Sequence, residues 1–206
     1  MKEHRDILAK HLPAGAVDAV YDLIRENHVN LLITRKRKTK HGDFRPAHNG
    51  KPQRITVNFD LNPHAFLLTF LHELAHQRVW EKYKRSVKPH GDEWKQTYRS
   101  LLKPFLSATV FPPEILKLLM APENRIFASA NVDVVLTRHM KKLAAPGKTV
   151  FVEDLPDNAL FKLSDNRVFR KLRKRRKNYL CVQIANSRNY IFSPVAEVFP
   201  IDEQNE

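Results

Sequence analysis

His72, Glu73 and His76 occur in the order His-Glu-Leu-Ala-His. On a helix four residues advance about 400°, so the two imidazoles share one face, a turn apart. That spacing lets both grip one metal ion at roughly 2.0–2.1 Å. Glu73 lies off this axis and can reach a metal-bound water without being a ligand itself. A third candidate ligand, His90, follows after a loop, just before Gly91; Asp92 or Glu93 is the alternative, because zinc peptidases also use a carboxylate there. Three neutral histidines leave a tetrahedral zinc one open position, the mark of a catalytic rather than a structural site. Zinc lowers the pKa of its water to about 7. With Glu73 to take the proton, the implied chemistry is amide-bond hydrolysis. The competing reading is a polar cluster satisfied within the core. Cobalt or manganese could replace zinc, but imidazole ligands favour zinc. The histidines at 41, 48, 64 and 139 have no comparable spacing and read as surface or loop residues.

A long buried helix is needed to carry this motif. Asn62 is a suitable N-cap and Pro63 suits the first helical position. Phe66, Leu67, Phe70, Leu71, Leu74 and Ala75 cover much of the circumference up to about Lys84, as on a central helix. Before it, residues 14–28 carry apolar residues at helical spacing (Val17, Val20, Tyr21, Ile24). Val29, Leu31 and Ile33 alternate as on a strand, Gly42-Asp43-Phe44-Arg45 begins a returning strand, and residues 46–52 read as a loop. Ile55-Thr56-Val57-Asn58 is a third strand, either a core strand or an edge able to hold an extended peptide. Helices follow at about 91–103, 114–120 and 130–144. Trp94 reads as a packing anchor behind His90. Beyond Pro146-Gly147 come short β-rich runs separated by turn residues, the texture of a small antiparallel sheet or barrel. The expected division is therefore 1–146 and 147–206, in an α+β protein.

The metal motif with His90-Gly91 and Trp94, preceded by Arg54-Ile55-Thr56-Val57-Asn58 and Leu61-Asn62-Pro63, resembles the core of the SprT-like (Spartan-type) metalloproteases. The resemblance covers about residues 15–145 and extends to Ser129-Ala130-Asn131. It implies a zincin-like core, a small antiparallel sheet plus the active-site helix. It further implies His72, His76 and His90 as zinc ligands, Glu73 as general base and acid, and proteins crosslinked to DNA as substrates. Many relatives carry a C-terminal ribbon with four cysteines. Here Cys181 stands alone in an apolar strand, so that ribbon is either absent or without its metal, and the β-rich tail, 147–206, is expected in its place.

The chain of 206 residues carries 36 lysines and arginines against 22 acids, a formal charge of +14, which points to a polyanionic partner. Arg170-Lys171-Leu172-Arg173-Lys174-Arg175-Arg176-Lys177 reads as a basic loop between two strands, flanked by Phe169 and Tyr179. Arg35, Lys36, Arg37 and Lys38 open a second basic loop. Both suit a phosphate backbone without base readout, against the plainer reading of solvated loops. One cysteine excludes an intrachain disulfide and fits a reducing compartment. No apolar stretch reaches the length of a membrane span, and the first ten residues lack the apolar core of a secretion signal, so a cytoplasmic location is expected. The leading expectation is a zinc protease acting on DNA-associated proteins. The alternatives are a non-catalytic nucleic-acid-binding module with structural zinc, and a general peptidase with no nucleic-acid partner.

Overall fold

A computed structural model describes residues 2–37, 40–120, 134–144 and 149–201. The architecture is mixed α+β, with six helices and two sheets among the described residues. The chain divides into two compact units, residues 1–136 and 137–206.

The first unit opens with α1 (Lys2–Ala9) and α2 (Val17–Glu26). Sequence periodicity does not announce α1, because its buried residue, Leu8, finds its i+4 partner Leu12 only beyond the helix end. Three strands follow: β1 (Leu31–Thr34), β2 (Gly42–Arg45) and β3 (Arg54–Asn58). Their order is β1-β3-β2, with β1 parallel and β2 antiparallel to β3. The expected antiparallel sheet is thus a mixed one. The segment after β1 carries the chain one place too far across, and the β2–β3 hairpin returns β3 into the gap. That hairpin turns at Asn49 and Gly50, which have φ of 48° and 73°, between mutual backbone bonds of His48 and Lys51 at 3.1 and 3.0 Å. Asn-Gly is the pair that tolerates such left-handed tips. Because β3 is central and buried, residues 55–58 are a core strand and not an edge; the edges of this sheet are β1 and β2.

The long helix α3 (Pro63–Tyr83) starts where expected, with Asn62 Oδ1 accepting from the Ala65 amide at 2.9 Å. Phe66, Leu67, Phe70, Leu71, Leu74 and Ala75 are fully buried, so the helix forms the core of this unit. It is tied to the end of α2 by Gln77, which donates to Asn27 O at 2.7 Å, and by Arg78, which donates to Asn27 Oδ1 at 2.8 Å. α4 (Asp92–Leu102) buries Trp94, Tyr98, Leu101 and Leu102, one helical face, and α5 (Pro113–Met120) buries Ile115 and Leu119.

The second unit begins within α6 (Val134–Ala144), earlier than composition suggested. Arg138 pairs with Glu153 and Asp154, and Lys141 donates to Val195 O at 2.9 Å, so this helix belongs with the sheet that follows. Pro146-Gly147 and Ser129-Ala130-Asn131 lie outside the described residues. The sheet comprises β4 (Val150–Phe151), β5 (Leu160–Lys162), β6 (Val168–Arg175), β7 (Asn178–Gln183), β8 (Asn189–Phe192) and β9 (Glu197–Ile201), in the order β4-β9-β5-β6-β7-β8, all antiparallel. Its core is Val152, Leu155, Phe161, Phe169, Cys181 and Val198. β9 escapes sequence reading because of Pro200. That residue sits opposite Phe161, past the point where β4 stops pairing, so its missing N–H forfeits no bond on that side.

Candidate metal centre

Two elements bring three imidazoles together. His72 and His76 project from one face of α3, and His90 enters from the loop before α4, in a left-handed conformation with φ 55°. A histidine in that region carries strain, which surrounding structure must hold in place. The three Nε2 atoms form a nearly equilateral triangle: His72–His76 3.2 Å, His76–His90 3.0 Å and His72–His90 3.1 Å. These contacts cannot all be hydrogen bonds. A neutral imidazole Nε2 either carries a proton or offers a lone pair, and among three atoms with two states at least two must match. A cation accepting all three lone pairs removes the conflict. A tetrahedral ion with bonds of roughly 2.0–2.1 Å separates its ligand nitrogens by roughly 3.3–3.4 Å, within a few tenths of an ångström of the spacing seen. The residues present therefore fit a metal ion. Of the two alternative ligands, Asp92 is an exposed side chain paired with Lys95 at 3.2 Å, and neither it nor Glu93 joins the cluster. Among the described residues the only cluster of this kind is His72, His76 and His90.

Electrostatics agree with the donor set. Burial, reinforced by the neighbouring imidazoles, lowers His72 to about 3. Burial and His90 lower His76 to about 4, and burial lowers His90. All three are therefore neutral near pH 7, as ligands must be. Trp94 is 1% exposed and lies against all three rings, with centroids 4.6 Å from His72, 4.7 Å from His90 and 5.4 Å from His76. It stacks in turn on Tyr98 at 5.1 Å. Its packing role thus spans the whole triad rather than His90 alone.

Glu73 is buried beside the triad, and its Oε2 accepts the backbone N–H of Phe44 on β2 at 2.9 Å. Burial raises its pKa to about 7, helped by Asp43 and opposed by the Phe44 amide, Lys40 and Arg37. β2 can come this close only because residue 42 is glycine. A Cβ there would lie 2.8 Å from Glu73 Cγ and 2.6 Å from Thr69 Cγ2. Gly42 and Phe44 are the site residues that the metal motif does not reveal; the available signal was a glycine opening the strand beside the active helix. Histidines and glutamate open into a cleft of about 510 Å³, whose walls include Gly42, Phe44, Trp80 and Lys84.

The basic residues divide sharply. Arg37 is bound into the fold, donating to Asn58 Oδ1 at 2.7 Å and Thr56 Oγ1 at 3.0 Å. Lys36 pairs with Asp60 at 3.3 Å, Arg35 is exposed, and Lys38 lies outside the described residues. The second run is a strand for most of its length, not a loop. Strand alternation turns Lys171 inward, where it is 3% exposed, donates to Leu155 O at 2.5 Å and sits 4.3 Å from the Tyr179 ring centre. Lys171 and Arg37 are therefore structural, not phosphate contacts. Arg170 is half-buried and donates to Asn158 O at 3.1 Å, while Arg173, Lys174, Arg175, Arg176 and Lys177 are exposed.

No protein-family model matches the chain, and no curated protein or solved structure matches it. Among the described residues no helix is long and apolar enough to cross a membrane.

Proposed function

We propose that this protein is a zinc-dependent protease of the SprT-like kind, with a zincin-like core, acting on proteins associated with DNA. The observation that carries the reading is the convergence of three neutral Nε2 atoms at 3.0–3.2 Å with a buried carboxylate adjoining them. His72, His76 and His90 would hold zinc, which supplies Lewis acidity and an acidified water when bound. Glu73 is the proton carrier. It is a buried carboxyl beside the three imidazoles, placed to take a proton and to return it. Phe44 N–H fixes its orientation through Oε2, leaving Oε1 for the proton.

β2 supplies the substrate ledge. Asn58 N donates to His41 O at 2.8 Å, so by antiparallel alternation Gly42 and Phe44 turn their backbone groups away from β3. The Phe44–Glu73 bond obeys that alternation. The Gly42 N–H and carbonyl and the Phe44 carbonyl are thus oriented to pair with an extended peptide beside the cleft. Such pairing reads main chain and selects little by side chain. The exposed cations of the second unit support a nucleic-acid partner that supplies the missing selectivity.

The test compares the native chain with Glu73→Gln for zinc content and for cleavage of a DNA-bound protein, with and without DNA. The expected result is full zinc in both and a loss of at least about 100-fold in cleavage for the variant. Undiminished proteolysis by Glu73→Gln would remove Glu73 from the chemistry.

A further inference from the structure

The end of the β6–β7 hairpin differs from the rest of its sheet. β5 pairs with β6 only over Val168 to Arg170, and the last bond on that side is Asn158 N to Lys171 O at 2.8 Å. β8 pairs with β7 no farther out than Tyr179. β8 therefore still flanks the Lys174–Tyr179 pair; beyond it only Arg175 pairs with Asn178, and the chain turns at Arg176 and Lys177. The tip is open on the β5 side past Lys171 but on the β8 side only past Tyr179, so it is a short two-stranded ribbon at the rim of the sheet, closing a run of five consecutive exposed cations, residues 173–177. Among the described residues no acidic side chain pairs with any of them.

Two details separate this ribbon from a merely solvated turn. Its charge lies on both faces. Arg173 and Arg175, opposite Leu180 and Asn178, occupy one face; Lys174, opposite Tyr179, occupies the other. Arg176 also holds φ 55°, a left-handed position that glycine or asparagine would fill with less strain. Charge is kept there at a cost of roughly 1 kcal/mol.

We propose that this ribbon enters the major groove of B-form duplex DNA, with its two faces meeting the phosphates of both walls. The inference deepens the nucleic-acid part of the proposed function and rests on it. The B-DNA major groove, about 12 Å wide, admits a two-stranded ribbon, and a groove presents phosphates on two sides where a flat polyanion presents them on one. Single strands are held by stacking on aromatic platforms, and the tip's one aromatic, Tyr179, packs against the core cluster. The A-form RNA major groove is too narrow to enter. Residues 173–177 carry no apolar side chain for insertion into a lipid surface.

The experiment uses the full chain. Fluorescence anisotropy with a labelled DNA duplex is compared with its single strand, the same sequence as duplex RNA, and anionic phosphatidylserine vesicles. The DNA duplex is expected to bind at least tenfold tighter than the others. Its slope of log K against log salt is expected to be about −4 to −5, as for about five phosphates. Arg173→Ala/Arg175→Ala and Lys174→Ala/Lys177→Ala should each reduce that slope by about 2. Arg176→Gly should weaken binding without lowering the unfolding midpoint, which separates charge from fold. Methyl green, a major-groove ligand, should compete, and netropsin, a minor-groove ligand, should not. Equal or tighter binding of single strand, duplex RNA or vesicles overturns the groove assignment, as do unchanged slopes in the tip variants or competition by netropsin alone. Binding to no polyanion at all removes the nucleic-acid part of the proposed function as well. Cleavage of a protein free of DNA, measured in parallel, reports on the protease part separately.

Discussion

Replacing Gly42 by alanine perturbs the site without replacing a titratable group. The added Cβ would meet Thr69 Cγ2 at 2.6 Å and both Cγ and Oε1 of Glu73 at 2.8 Å. Carbon atoms settle at roughly 3.5–4.0 Å, so the overlap with Glu73 Cγ is about 0.7–1.2 Å. Thr69 and Glu73 stand one turn apart on α3, whose apolar side chains are locked in the core. Relief must therefore come from swinging the Glu73 carboxylate or pushing β2 outward. Either movement breaks the 2.9 Å bond from Phe44 N–H and displaces the proton carrier by about 1 Å. A displacement of that size costs on the order of 100-fold in rate, and the crowding costs about 1–3 kcal/mol in stability. The three atoms nearest the added Cβ belong to Thr69 and Glu73, not to the histidines. The expected Gly42→Ala protein binds zinc at the native stoichiometry and affinity but has a kcat about 100-fold lower. Zinc titration and steady-state hydrolysis of an unstructured protein substrate measure the two quantities. A variant with full zinc and full kcat would refute the claim that β2 positions Glu73.

His72→Ala should lose bound zinc on dialysis, since two nitrogens remain of three, and metal analysis of the dialysed protein reads this directly. In metal-free protein the pH dependence has a definite sign. Between about pH 4.5 and 6.5 the unfolded chain takes up protons at His72 and His76 that the fold refuses, while the fold keeps one on Glu73 that the unfolded chain releases. The unfolded state binds more protons, so stability rises with pH across that window and is lost as pH falls. The melting midpoint in chelator should climb from pH 4.5 to 6.5, and climb more steeply in Glu73→Gln, where only the histidines contribute; a falling midpoint would contradict the assignment. Lys171→Ala should lower the stability of the second unit by about 1–3 kcal/mol by removing the buried bond to Leu155 O. It should leave affinity for duplex DNA within about twofold of native, read by melting and anisotropy together.

The convergence of His72 and His76 was legible because a helix converts sequence spacing into geometry. His72 and His76 need only α3, and α3 announces itself by its cap and its all-round apolar surface. His90 was legible as a candidate, but its choice over Asp92 depends on the loop conformation at φ 55°, which spacing does not encode. Gly42 and Phe44 act through backbone approach and a main-chain N–H, and neither leaves a side-chain pattern. The order β1-β3-β2 was hidden for a related reason: strand propensity identifies residues 55–58 but says nothing of which neighbours they gain. In the second unit, alternation failed where both faces of β6 carry the same charge. Lys171 and Arg173, two residues apart, would share a face by simple alternation; a bulge between them turns Lys171 inward and Arg173 outward, and the sequence does not announce it.

If β2 holds substrate by its main chain, as proposed, it holds one extended segment much like another, and selectivity then has to come from local concentration. An enzyme and a target on the same duplex meet at an effective concentration of order mM, at or above the roughly 1 μM–1 mM range of common KM values. Tethering of this kind accelerates only substrates that share the DNA. At enzyme and substrate concentrations far below KM, duplex DNA should therefore speed cleavage of a DNA-bound protein and leave hydrolysis of a free peptide unchanged. The gain should disappear in Arg173→Ala/Arg175→Ala, whose metal centre is untouched. Equal acceleration of the free peptide would mean that DNA reshapes the centre itself. The centre is held entirely within the first unit, with Glu73 fixed by β2 and the imidazoles by α3 and the loop before α4. Acceleration of that kind would thus replace the tether with a coupling between units.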